Sequence, residues 1–249
     1  MQKQAFLGFT LISIEEAVKG IDYKCPECHT LLRFKKGVYY KPHFYHVNGQ
    51  SCSKNGAEHI AVQARIKKLI PSAQLEKAFN QVQRIADVCY EEKKIIFEVQ
   101  CSPITAEELL ARNRDYEAMD YTVIWIFHTK RYNRGRLKPS EKIARNQLAY
   151  YTDITAGGKG QIFDMAGFGR SFLAKREKYP VDLSRVKECS NIRAPKTLFK
   201  TLKKRLLQKY YFSGDLLDLA IHEILYLRVK KESAGFNLMF EKFLEWVSL

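Results

Sequence analysis

Two carboxylates interrupt an otherwise apolar stretch, RIADVCYEEKKIIFEVQCS at residues 84–102: Asp87 and Glu98. Read as a β-hairpin, each arm then carries one acid, and such a pair either faces water or is gathered around a cation. Register decides whether the two meet. If the chain turns symmetrically within Glu91–Lys94, then Tyr90 lies opposite Ile95, Cys89 opposite Ile96, Val88 opposite Phe97, and Asp87 opposite Glu98. Directly opposed Cβ atoms are roughly 4.5–5.5 Å apart, and like charges so placed repel unless a divalent cation bridges them or one is protonated. Along the second arm, Ile95, Phe97 and Val99 share a core face, while Ile96, Glu98 and Gln100 share a face that turns polar as a strand entering a cleft would. Glu58, in the helical segment before the hairpin, supplies a third acid. Glu58, Asp87 and Glu98 together form a hard-oxygen set for Mg²⁺ or Mn²⁺, with room for water and a phosphate. The bland alternative is the wet side of an amphipathic hairpin.

A second cluster lies in YKCPECHTLLRFKKGVYYKPHFYHVNGQSC, residues 23–52. Cys25 and Cys28 have the C-x₂-C spacing that reaches one metal from a tight turn, and His43 and His46 complete a tetrahedral set suited to a structural Zn²⁺. The histidines are two residues apart where three to five is usual, which leaves Cys52 or His29 open as a replacement for one of them. The structural alternative is two buried thiols beside two surface histidines.

The elements that must position these residues follow from pattern. GAEHIAVQARIKKLI carries Val62, Ile66, Leu69 and Ile70 on one helical stripe and ends before Pro71. The hairpin strands RIADVCY and KIIFEVQ come next, and then TAEELLARNRDYEAM, which opens with Thr105 and Glu108 at capping-box spacing. YTVIWIF is a continuous apolar run of buried-strand length. Helix, strand, strand, helix, strand is a mixed α/β order. Arg112 and Tyr116, four apart, share a helix face. His59 is read as structural, and Asp115 and Glu117 receive no role.

Composition bounds the class. The 249 residues are 46% hydrophobic with a net charge of +15, which excludes a disordered chain and favours polyanionic partners, nucleic acid first. Six cysteines are too few for a disulfide scaffold of this length, as in a cytoplasmic protein with reduced thiols. No apolar run reaches the ~20 residues of a membrane span. AFLGFTLISI near the start is followed by two acids rather than a cleavage site and reads as a strand. TAGGKG lacks the spacing of a P-loop. KTLFKTLKKRLLQKYYF mixes apolar, aromatic and six basic residues, as an amphipathic nucleic-acid-binding helix would.

Helix Glu, strand Asp and then Glu-x-Gln on the next strand resembles the PD-(D/E)XK nuclease superfamily, with Gln100 where lysine is usual. The longer string RIADVCYEEKKIIFEVQCSPITAEELLARNRDYEAMDYTVIWIF, with its Glu-x-Gln-Cys-Ser stretch, Arg-x-x-x-Tyr helix and Val-Ile-Trp strand, resembles the competence protein CoiA-like family. The CPxC knuckle followed by His-Phe-x-His is similar to that family's N-terminal region. The resemblance implies a restriction-endonuclease-like α/β nuclease core over 56–150, an N-terminal zinc knuckle over 1–55 and a basic, mainly helical C-terminal region over 151–249. It implies a metal-dependent DNA nuclease, with Glu58, Asp87 and Glu98 holding the ion. Gln100 would place the water, and Arg112 and Tyr116 would contact phosphate or orient a ligand. The setting it implies is DNA processing and recombination in natural transformation, with DNA and recombination proteins as partners. Two rival readings keep the same residues: a DNA-binding recombination accessory without cleavage, and a zinc-dependent protein-interaction module.

Overall fold

The structure, a computed structural model, describes residues 3–26, 30–48, 56–134, 137–166, 177–190 and 200–222. The apolar start is a hairpin rather than one strand. β1 (Gln4–Leu7) and β2 (Thr10–Ser13) pair antiparallel around Gly8, whose φ of 59° is one a residue without Cβ adopts freely. With β3 (Asp22–Lys24), β4 (Leu31–Gly37) and β5 (Tyr40–His46) they make a five-stranded sheet in the order β2-β1-β3-β4-β5. Ala5, Tyr23, Cys25, Leu32, Phe34 and Phe44 form its small core.

A larger unit follows. It begins with α1 (Ala57–Leu69) and continues through β6 (Gln74–Phe79), β7 (Arg84–Tyr90) and β8 (Ile95–Gln100). Then come α2 (Ala106–Glu117), β9 (Thr122–His128), α3 (Pro139–Asn146), β10 (Ala149–Thr152), β11 (Ile162–Ala166) and β12 (Glu177–Pro180). The strands form one seven-stranded sheet, β12-β11-β10-β9-β8-β7-β6. Its centre is parallel, β8 to β9 to β10, because α2 and α3 carry the chain back across the sheet between them. Thr105 caps α2 as its sequence suggests, its hydroxyl accepting from the Glu108 N–H at 3.1 Å. Sequence pattern misses β6 because QLEKAF is an edge strand, largely exposed and without alternation.

Each face of this sheet has its own core. Val62 and Ile66 of α1 pack with Phe97, Val99 and Ile126 on one side; Leu109 and Tyr116 of α2 and Ala144 of α3 pack with Ile96, Trp125 and Phe127 on the other. Side chains such as Ile66 and Phe97, fully buried, each contribute roughly 1.5–3 kcal/mol.

The C-terminal region is not mainly helical over its described residues. β13 (Asp182–Glu188) and β14 (Tyr210–Ser213) pair antiparallel around α4 (Lys200–Arg205), so the basic KTLFKTLKKRLLQKYYF segment is helical for six residues within its described part and then becomes strand. Tyr210, Tyr211 and Phe212 favour that outcome, since aromatic side chains suit a pleated, half-buried surface. A limit at residue 150 falls inside β10, and β11 and β12 extend the same sheet. Buried polar links hold the region there: Arg205 donates to Asp164 of β11 at 3.0 Å, and Tyr150 of β10 donates to Asp215 at 2.6 Å. The tail expected to be helical beyond residue 222 lies outside the described residues.

Candidate functional site

The hairpin forms in the register its symmetry predicts: Tyr90 pairs with Ile95, Cys89 with Ile96 and Val88 with Phe97. The regular ladder stops one step before the acids. There the Asp87 carboxylate accepts the Val99 N–H at 2.7 Å, so the acid takes the place of a backbone carbonyl. Its other oxygen lies 3.4 Å from Nε2 of His59 on α1, and both side chains are almost completely buried.

On the other side of β7 the pairs Leu75–Val88 and Lys77–Ala86 set Glu76 opposite Asp87. Glu76 has φ 50°, a left-handed conformation uncommon for a residue with a Cβ. Gln63, one turn beyond His59 on α1, donates to the Glu76 carboxylate and to the Asp87 carbonyl, the latter at 3.3 Å. The result is a cluster in which one ligand atom each from His59, Glu76 and Asp87 lies within 4.8 Å of the others. Among the described residues this is the one group of three or more acids, histidines or cysteines gathered so closely. Two carboxylates and an imidazole make a mixed oxygen–nitrogen set. It fits Mn²⁺ or another first-row divalent ion better than Mg²⁺, which takes oxygen ligands and water.

Glu98 is engaged differently. Arg112 donates to its Oε2 at 2.6 Å and the Tyr116 hydroxyl to its Oε1 at 3.0 Å, so the helix residues expected beside the site do meet the strand acid. Arg112 also bonds Glu108 at 3.0 Å; Glu108 accepts from Arg84 at 2.7 Å, and Arg84 holds Asp115 at 2.8 Å. This alternating chain of charges runs from the buried strand to the surface of α2. Burial first, and the Glu98 charge second, push the Tyr116 phenol well above the usual range, so it stays a hydrogen-bond donor.

The set expected from sequence is thus only partly assembled. Glu58 begins α1 but its carboxylate pairs with Lys130 at 2.9 Å, a hydrogen bond that holds its pKa below the ordinary value, and it is not in the three-residue cluster. Glu98 is likewise absent from that cluster, and Asp87 alone is common to the two sets. Gln100 is buried, and its amide donates to the Ser102 carbonyl at 2.8 Å and hydroxyl at 3.0 Å. His59, read as structural, and Glu76, on the unrecognised edge strand, are the additions. One signal was available: His59 and Gln63 are polar residues at i and i+4 that flank the apolar stripe of α1.

Of the expected zinc set, only part lies within the described residues. Residues three apart on a strand point to opposite faces. His46 shares the core face of β5 with Phe44, whereas His43 lies on the other face and bonds the Lys41 carbonyl at 2.7 Å through Nδ1. Cys25 is fully buried in that core, so His43 does not converge on it. Cys28, with His29 and Cys52, lies outside the described residues.

Comparison with known families agrees with this architecture. Residues 60–158 match the family described as competence protein CoiA, nuclease-like domain, and residues 10–55 match competence protein CoiA, N-terminal domain. The chain belongs to the CoiA family of competence proteins. The nuclease-like match contains Glu76, Asp87, Glu98, Gln100, Arg112 and Tyr116, while Glu58 and His59 fall just before it. No curated protein and no solved structure matches the chain. Among the described residues no helix is long and apolar enough to cross a membrane.

Proposed function

We propose that the chain is a metal-dependent DNA nuclease acting on incoming DNA in competence, with Asp87 at the centre of its site. The observation that carries this reading is the gathering of His59, Glu76 and Asp87 within 4.8 Å, in a domain of nuclease-like family. A divalent cation held there would lower the pKa of a bound water and offset charge on a phosphodiester. The residues of this chain do the rest. The Val99 N–H fixes Asp87, and Gln63 fixes Glu76, so the ligands are oriented by the backbone of β8 and the face of α1. Glu98 holds the Arg112 guanidinium and the Tyr116 hydroxyl in place across the sheet. A net charge of +15 draws the polyanion to the site.

Cleavage of labelled single- and double-stranded DNA with Mn²⁺ or Mg²⁺, comparing the native chain with Asp87→Ala, tests this. Cleavage by the native chain and its loss in a folded variant is the expected result. DNA binding without cleavage by the native chain would support the accessory reading instead, which the engagement of Glu98 by Arg112 and the glutamine at position 100 favour.

A further inference from the structure

The outer face of the N-terminal sheet has the makings of a stacking platform. Strand alternation sends Leu32, Phe34 and Phe44 into the small core, and Arg33, Lys35, His43 and Tyr45 to the opposite face. Across the β4–β5 pair, Arg33 lies opposite Tyr45 and Lys35 opposite His43. The His43 and Tyr45 rings follow each other along β5 with centroids 6.5 Å apart, and Lys35 Nζ sits 3.9 Å over the Tyr40 ring. Beyond them the hairpin tip projects Val38, Tyr39 and Tyr40, which are 95%, 93% and 53% exposed. From Leu31 to His46 the chain has four cations, Arg33, Lys35, Lys36 and Lys41, and no acid. The acid nearest in the sheet, Asp22 of β3, pairs with Arg33 at 3.0 Å.

Single exposed apolar residues are ordinary, but a contiguous run of rings interleaved with cations is not. We propose that this face binds single-stranded DNA, with bases stacked on Tyr39, Tyr40 and Tyr45 and phosphates on Lys35 and Lys41. Stacking needs exposed ring faces, and the backbone needs cations beside them. Duplex DNA presents base edges in its grooves rather than base faces, so it cannot use the rings in this way. A membrane-surface element would segregate its apolar face from its cations, whereas here the two alternate across neighbouring strands. The inference goes beyond hydrolysis and does not depend on it.

The test uses the full chain without added Mg²⁺ or Mn²⁺, so that a failure of the nuclease reading cannot be mistaken for a failure of this one. Fluorescence anisotropy with labelled oligo-dT is expected to show binding that Tyr39→Ala/Tyr40→Ala weakens about tenfold or more, the scale of losing stacked bases. Tyr39→Phe/Tyr40→Phe keeps the rings and should bind as the native chain does. Lys35→Ala/Lys41→Ala should instead flatten the dependence on salt. Native-like oligo-dT affinity in the alanine variant would overturn the proposal. So would duplex DNA that binds with the same dependence on the tyrosines, or a preference for oligo-U over oligo-dT. Tyrosine-dependent capture by anionic phosphatidylglycerol vesicles, with oligo-dT binding unaffected, would assign the face to a membrane. Tyr39 and Tyr40 project from a hairpin tip, so the variants should melt as the native chain does.

Discussion

Glu98→Gln distinguishes an acid held by its protein partners from an acid held for a metal. The Glu98 side chain is 1% exposed and that of Arg112 is 5% exposed, with 2.6 Å between their nearest atoms. Both Glu98 oxygens accept hydrogen bonds, from Arg112 and from Tyr116. Glutamine preserves the volume but removes the charge and turns an amide donor toward one of two groups that are themselves donors. Breaking a buried pair by removing one partner costs about 3–5 kcal/mol. Arg112 keeps Glu108, whose side chain is 24% exposed, as a counter-charge, so the loss belongs at the lower end, about 3 kcal/mol. At ~2–4 °C per kcal/mol for a chain of this size, Tm falls by about 6–12 °C. Adding Arg112→Met removes the stranded cation and should return roughly half of that loss, because the two residues act as one unit. Differential scanning calorimetry in metal-free buffer near neutral pH reads both values. If Glu98→Gln melts within about 1 °C of the native chain, the pair does not hold the sheet to α2 and Glu98 is available as a metal ligand.

Three further outcomes are expected. His59→Ala and Glu76→Gln should each weaken Mn²⁺ binding by at least about tenfold in a calorimetric titration, the scale seen even for outer-sphere partners, whereas Glu58→Gln should leave it unchanged because Glu58 is engaged by Lys130. Burial, with the Asp215 charge behind it, pushes the Cys189 thiol up to about 11, so its thiolate is scarce at any lower pH. Alkylation of Cys189 near pH 8 should be about a hundredfold slower in the native chain than in the urea-unfolded one, as mass spectrometry would show, and equal rates would contradict the burial. Gly214 has φ 84°, and a Cβ there would lie 2.4 Å from the Pro180 carbonyl oxygen. Gly214→Ala should therefore cost about 1–3 kcal/mol in a urea melt, by backbone strain and by forcing β14 away from the end of β12.

Local pattern specified a good part of this molecule. The turn within Glu91–Lys94 and the alternation on either side were enough to set the register of β7 against β8. Thr105 marked the start of α2, and four-residue spacing put Arg112 and Tyr116 on one face, where both reach Glu98. These are short-range consequences of helix and strand periods, which a chain carries in its order of residues. The periods also bear on the two histidines of β5, since residues three apart on a strand separate to opposite faces; knowing that the segment was a strand was the missing step.

What tertiary structure decided was which carboxylates come together. Edge strand β6 is polar and lacks alternation, so nothing local announces that Glu76 will lie beside Asp87. His59 becomes a neighbour of Asp87 only because Val62 and Ile66 bury the next turns of α1 against β8, which brings the first turn over β7. Glu98 could have faced a metal or a guanidinium, and the choice was made by α2 packing across the sheet through Leu109 and Tyr116. Sequence supplies the acids and the faces they occupy, while the packing of two helices on opposite sides of one sheet assigns each acid its partner, because burying a charge is tolerable only where the fold brings a compensating group to meet it.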